Sequence, residues 1–178
     1  MVTMLVTRPE PDASETARRL NALDIETVIE PLLSAETLST SLPPATGFAA
    51  LAITSANALR ALDQRGDLPK YRGLPLYAVG DRTADMARRL GFTRVASAAG
   101  NFGDLVALLA RAGLGGPVLY PAARHQAGDL GKALAPHGIM VITAAIYDMR
   151  PAASLGESTR AALAAGSIDA ALFYSRRT

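Results

Sequence analysis

Short apolar runs alternate along this chain with longer segments whose apolar residues recur at helical spacing. Val2 to Val6 predicts a strand, broken at Thr7-Arg8-Pro9-Glu10-Pro11, where two prolines enforce a loop. Asp12 and Glu15 have the spacing of a capping box. Ala13, Ala17 and Leu20 then share one helical face, with Arg18 and Arg19 off it. Glu26 to Ile29 predicts a second strand, so residues 1–30 read as a β-α-β unit. From Pro31 to Pro44 the periodicity is lost and Ser, Thr and Pro are common, as in a crossing into another lobe.

The rhythm resumes after that crossing. Strands are predicted at Ala49–Ile53, Pro75–Val79, Pro117–Tyr120 and Ile139–Ile146. Helices are predicted at Ala56–Leu62, at Thr83–Leu90 with Gly91 as its stop, at Asn101–Ala112 and at Asp129–Ala135. In the third of these, Leu105, Leu108, Leu109 and Ala112 fall on one side. Beyond Pro151 the pattern restarts with a helix over Ser158–Ala165, ended by Gly166, and a strand over Ile168–Tyr174. Alternation of this kind predicts parallel sheets with helices on both faces and right-handed crossovers.

Two segments stand where a strand hands over to a helix: Thr54-Ser55-Ala56-Asn57-Ala58-Leu59 and Ala78-Val79-Gly80-Asp81-Arg82-Thr83-Ala84. In open α/β sheets ligands bind at such strand ends. The first has an echo, because Ala49–Ser55 resembles Asp169–Ser175. That echo predicts a protein of two lobes, one of them incomplete within these residues.

Composition narrows the chemistry. The chain has 178 residues, 49% of them hydrophobic, enough for one ordinary domain or two small ones. No apolar run approaches the roughly 18 residues that span a bilayer. The sequence holds no cysteine and only two histidines, His125 and His137, so neither disulfides nor a Cys- or His-rich metal site is expected. This composition leads to the expectation of a cytoplasmic protein. The formal net charge is +2 and the basic residues are scattered, unlike the dense stripe of a nucleic-acid binder. The dinucleotide fingerprint, the P-loop and the nucleophile elbow are all absent from the sequence, and Gly113-x-Gly115-Gly116 follows a helix rather than a strand. Nucleotide binding is therefore disfavoured. A Ser55 or Ser175 nucleophile with His125 as base lacks a visible third member and oxyanion loop.

The ordered set of Thr7-Arg8-Pro9, Thr54-Ser55-x-Asn57-Ala58, Ala78-Val79-Gly80-x-x-Thr83-Ala84, Leu90-Gly91-Phe92, Leu119-Tyr120, Ile146-Tyr147 and Leu172-Phe173-Tyr174-Ser175 resembles the uroporphyrinogen-III synthase family. The resemblance runs over essentially the whole chain, and the order is more specific than any one piece. It implies two α/β lobes with parallel sheets flanked by helices, joined by a two-stranded crossing. Residues 1–34 and 151–178 would form the first lobe and 35–150 the second. The family chain continues for several more elements, including a second Gly-x-x-Thr-Ala turn equivalent to Gly80–Ala84, so one wall of the family's cleft is not completed within these residues.

The resemblance implies a hydro-lyase of tetrapyrrole and heme biosynthesis that acts as a monomer without metal or organic cofactor. Its substrate would be the linear polycarboxylate hydroxymethylbilane, closed with inversion of ring D and loss of water; no nucleic acid or membrane partner is implied. Tyr147 matches the family position favoured as proton donor, a role open to a phenol that is protonated at neutral pH. The same tyrosine also suits simple packing against the crossing strands. Substrate carboxylates would meet Arg8, Thr54, Ser55, Asn57, Gly80, Thr83, Arg124 and Ser175, with helix N-termini at Ala56, Arg82–Thr83 and Asp129 adding backbone N–H groups. Thr54, Ser55 and Thr83 equally suit helix caps, and Arg8, Arg124 and His125 equally suit surface loops. The alternative reading is a non-catalytic two-lobed module that binds a small anion.

Overall fold

In the computed structural model, residues 2–126 and 128–174 are described. The chain divides into two compact units, residues 1–35 with 149–178 and residues 36–148. The chain passes from one to the other along β3 (Leu33–Thr37) and β8 (Val141–Pro151), which are hydrogen-bonded neighbours.

Unit 1 contains β1 (Thr3–Val6), α1 (Asp12–Asn21), β2 (Glu26–Ile29), α7 (Glu157–Ala164) and β9 (Ala170–Leu172). Its sheet has the order β2-β1-β9, with both pairings parallel. β1 sits in the middle because Leu5 and Val6 are its most buried residues, and Ala13 and Ala17 of α1 are buried as their spacing predicts. The expected Asp12–Glu15 capping box does not form. Pro11 takes the N-cap position and has no side chain to offer. Glu10 serves instead, accepting from the Ser14 N–H at 3.1 Å and the Ser14 hydroxyl at 2.8 Å, while Asp12 turns to Arg8. The first turn of α7 is likewise held from outside. Glu30, just past β2, accepts from the Gly156 N–H at 3.0 Å and the Thr159 hydroxyl at 2.5 Å. These two bonds hold the Glu30 carboxyl below its ordinary pKa.

Unit 2 carries β4 (Ala50–Ile53), α2 (Ala56–Gln64), α3 (Leu68–Tyr71), β5 (Leu76–Ala78), α4 (Asp81–Arg89), β6 (Val95–Ser97), α5 (Phe102–Ala110), β7 (Val118–Ala123) and α6 (Leu130–Leu134). The sheet order is β3-β8-β7-β4-β5-β6, parallel from β8 through to β6. β4 lies inside and is buried on both faces, as its unbroken apolar run requires. On one face Ala50, Ala52, Val118, Tyr120 and Ala122 lie under Leu105 and Leu109 of α5 and Leu130 and Leu134 of α6. Each of those buried leucines contributes about 1.5–3 kcal/mol. On the other face α2 packs against β4 and α4 against β5. Helices therefore cover both faces, as the alternation predicts.

α4 ends as expected at Gly91, whose φ of +93° lets Phe92 N–H reach back to the Ala87 carbonyl at 3.1 Å. Three features depart from the sequence expectation. α3 and β6 were not anticipated, since both are short. β8 extends to Pro151, beyond the predicted Ile146. The Pro31–Pro44 segment contains β3, and its remainder is pinned by side chains rather than by periodic burial. Arg65 donates to the carbonyls of Leu38 and Thr40, and Tyr71 donates to the Pro43 carbonyl at 2.5 Å.

Candidate functional site

The C-terminal ends of β4, β5 and β7, with the neighbouring part of β8, bring most of the candidate residues together in unit 2. Ser55 is the N-cap of α2, and its Oγ accepts from the Asn57 N–H at 3.2 Å. The same hydroxyl lies near enough to the phenol of Tyr147 on β8 to act on its ionisation. Thr54 makes no cap. Its Oγ1 lies 2.9 Å from the phenol oxygen of Tyr120. Two hydroxyl pairs, Thr54–Tyr120 and Ser55–Tyr147, thus stand at one strand end.

A β-bulge sets the position of Tyr147. The β7–β8 register runs evenly from Val118↔Val141 to Ala122↔Ala145, then slips so that Ala123 faces Tyr147. An extra residue on β8 at this point re-aims the side chains that follow it. The Arg124 N–H donates to the Tyr147 carbonyl at 2.8 Å, which fixes the strand just past the bulge. Tyr147 is 5% exposed. Burial raises its pKa, the nearby Ser55 hydroxyl offsets part of that rise, and the nearby Tyr120 adds to it. The Tyr120 pKa is also raised, chiefly by burial. Both phenols are consequently protonated at neutral pH.

Gly80 is the N-cap of α4 with extended backbone, and a Cβ placed there would meet nothing within 4 Å. α4 begins at Asp81, two residues before the expected Thr83, and the Thr83 N–H is already bonded to the Gly80 carbonyl at 3.1 Å. The N–H groups that this helix presents are therefore those of Asp81 and Arg82 rather than that of Thr83. Thr83 itself is buried. The Asn57 side chain accepts from Arg60 at 2.6 Å. Arg124 is half exposed, with its guanidinium 3.5 Å from the Asp148 carboxylate. His125 is exposed.

The Asp129 helix start does not suit an anion. α6 has five residues, and the Asp129 carboxylate already accepts the Lys132 N–H at 2.9 Å over its N-terminus. Arg8 belongs to unit 1. It pairs with Asp12 at 3.1 Å, donates to Thr16 at 3.2 Å and stacks over the Tyr174 ring at 4.3 Å. Its Nε is buried without a hydrogen-bond partner, beside a pocket lined by Arg19, Leu20, Leu23 and Leu172. Ser175 lies outside the described residues. Sequence reasoning missed Tyr120 as a site residue; its signal is a phenol at the end of an apolar strand run, within a buried face of alanines and leucines.

Among the described residues, no group of three or more His, Cys, Asp or Glu side chains is placed to hold a metal ion. No helix among them is long and apolar enough to cross a membrane.

Relatives of known structure share this arrangement of strands and helices. The uroporphyrinogen-III synthetase of Helicobacter pylori is 25% identical with a TM-score of 0.60, over 92% of this chain and 68% of that one. A mutant uroporphyrinogen III synthase of Thermus thermophilus has the same fold at 19% identity, with a TM-score of 0.61 over 96% of this chain and 71% of that one. No curated protein matches the chain. A sequence profile described as uroporphyrinogen-III synthase HemD matches residues 14–178. With nearly the whole chain inside that profile and the parallel α/β architecture in agreement, the chain belongs to the uroporphyrinogen-III synthase family, hydro-lyases of tetrapyrrole biosynthesis.

Proposed function

We propose that the strand-end cluster of unit 2 binds the linear tetrapyrrole and that Tyr147 gives the proton that lets its terminal hydroxyl leave as water. Loss of that water yields an azafulvene, which the pyrrole nitrogen stabilises. Attack on the substituted carbon of ring D gives a spiro intermediate, and fragmentation with reclosure gives the type III isomer. Uncatalysed closure gives type I. The enzyme's task is thus to hold a flexible anionic chain in the contorted geometry and to supply one proton. Positioning contributes several kcal/mol to such a choice. A proton donor contributes about 10²–10⁴-fold.

The observation that carries this reading is the placement of Tyr147, buried just past the bulge of β8 with its phenol near the Ser55 hydroxyl. Ser55 accepts from the Asn57 N–H and can donate its own hydrogen to Tyr147. That direction leaves the phenol hydrogen of Tyr147 for the leaving group. Around it, Thr54, Ser55, Asn57, Gly80, Thr83 and Arg124 are assigned to substrate carboxylates, through short donors, the backbone at the start of α4 and one guanidinium. Arg8 and Ser175, both of unit 1, are read as carboxylate contacts in their own right. Arg8 would share its guanidinium between such a carboxylate and Asp12. The reading carries with it a cytoplasmic monomer with no metal, organic cofactor, nucleic acid or membrane partner; sedimentation velocity checks the monomer.

Tyr147→Phe tests the central assignment. Formation of the type III isomer should slow by about 10²-fold or more, while calorimetry gives uroporphyrinogen III affinity within about twofold of wild type. Unchanged turnover would make Tyr147 a packing residue. Equal losses of rate and affinity would make it a binding group instead.

A further inference from the structure

We infer that Tyr120 is a positioning residue for substrate binding, donating its phenol hydrogen to Thr54 and so turning the Thr54 hydroxyl hydrogen toward a substrate carboxylate. The inference rests on the assignment of Thr54 to the substrate.

Tyr120 is 3% exposed, whereas Thr54 is half-buried, so Thr54 is the member of the pair that reaches the surface. Tyr120 belongs to a buried cluster with Ala50, Ala52, Ala122, Leu105 and Leu109, apolar side chains without an acceptor, and the partner its hydroxyl meets is Thr54. For a purely packing role a phenylalanine would serve, without a hydroxyl to satisfy. The two oxygens are 2.9 Å apart, and geometry alone permits either to donate. Donation from Thr54 would aim its only hydrogen into the core and leave the buried phenol hydrogen needing another acceptor. Donation from Tyr120 satisfies the buried hydrogen and leaves that of Thr54 on the open side. The chain phenol, threonine hydroxyl, ligand carboxylate is also one in which each bond polarises the next. Packing supports the same end. Ala52 of β4 and Ala122 of β7 are small enough to leave room for the ring, and the phenol spans from the buried face to the strand end. Tyr120 is close enough to Tyr147 for ionisation of one to be felt by the other, so this pair stands beside the proton donor.

The experiment is a double-mutant cycle on the 178-residue chain, with anaerobic uroporphyrinogen III as the probe in calorimetry. Tyr120→Phe should raise Kd about three- to tenfold, the range of one ordinary neutral hydrogen bond. Thr54→Val should raise it by at least as much, and Tyr120→Phe added to Thr54→Val should change it no further. A merely structural role would weaken binding equally in both backgrounds, and that result overturns the inference. A silent Tyr120→Phe beside an effective Thr54→Val overturns it too, leaving the Thr54 assignment intact. A silent Thr54→Val removes the Thr54 contact, and the role of Tyr120 falls with it.

Discussion

Ser55 stands at two junctions, the N-cap of α2 and the hydroxyl partner of Tyr147, and substitution can pull these roles apart. Ser55→Ala removes both. Loss of the cap costs about 1 kcal/mol. Loss of the partner to a buried phenol costs about 1 kcal/mol more, the net worth of an ordinary hydrogen bond. A total near 2 kcal/mol lowers Tm by about 4–8 °C in a domain of this size. Turnover should fall about fivefold, because the same roughly 1 kcal/mol of orientation at the proton donor is lost. Ser55→Asp restores a good cap for the Asn57 N–H, so Tm should return to within about 2 °C of wild type. It cannot restore the chemistry. A carboxylate there accepts the phenol hydrogen instead of leaving it for the substrate, and it repels a polycarboxylate. Thermal melts read the first effect, and chromatography of the oxidised porphyrin isomers reads the second. Full recovery of both Tm and type III formation in Ser55→Asp would refute the reasoning and reduce Ser55 to a cap.

Gly80→Ala offers a clean probe of backbone approach. Because a Cβ there meets nothing and the backbone is extended, Tm should hold within about 2 °C, the scale of a change below 1 kcal/mol. Weaker uroporphyrinogen III binding at unchanged Tm would then place a ligand against Gly80, and unchanged binding would remove Gly80 from the site. Glu30→Ala should cost about 1 kcal/mol through the lost cap of α7, measured by urea melts. The Glu30 pKa is lowered in the fold, so this stabilisation is present above the unfolded-state pKa and lost as pH falls through the folded one. The difference between wild type and Glu30→Ala should therefore shrink on acidification; a constant difference would remove the carboxylate from the cap. Burial raises the pKa of Tyr71, Tyr120 and Tyr147, so their contribution to stability is full below about pH 10 and lost as pH climbs from there through the raised folded values. Ultraviolet titration should show these phenols ionising late, with unfolding; early ionisation in the native state would contradict their burial.

Much of this fold was legible in the sequence, and the failures have physical causes. The β4 and β7 strands and the α5 helix were readable because burial itself writes the pattern: unbroken apolar runs for strands covered on both faces, leucines at helical spacing for a covered helix. β6 and α3 left little trace because elements of three and four residues are too short to show a periodicity of their own. The Asp12–Glu15 spacing was present, but Pro11 had taken the cap and Arg8 offered Asp12 a better partner. At the site, Thr54, Ser55 and Gly80 were readable because a strand-to-helix junction has few possible chemistries. Tyr120 was not, since a tyrosine in an apolar run looks like core until the strand register brings it to Thr54. The bulge that aims Tyr147 is likewise a property of pairing between β7 and β8, which no single segment encodes.

The cap that Glu30 places on α7 has a consequence for the order in which the chain acquires its structure. The bonds that close unit 1 link residues 126 to 166 positions apart, Glu30 to Gly156 and Thr3 to Asp169 among them. Residues 36–148 form a contiguous unit that needs none of those partners. During synthesis β1, α1 and β2 emerge first and must wait, while unit 2 can fold as soon as β8 is made. Once folded, unit 2 replaces a long flexible loop with a fixed span and lowers the entropy cost of bringing Glu30 to α7. The chain thus begins the first unit, builds the second inside it, and returns to add α7 and β9 to the first.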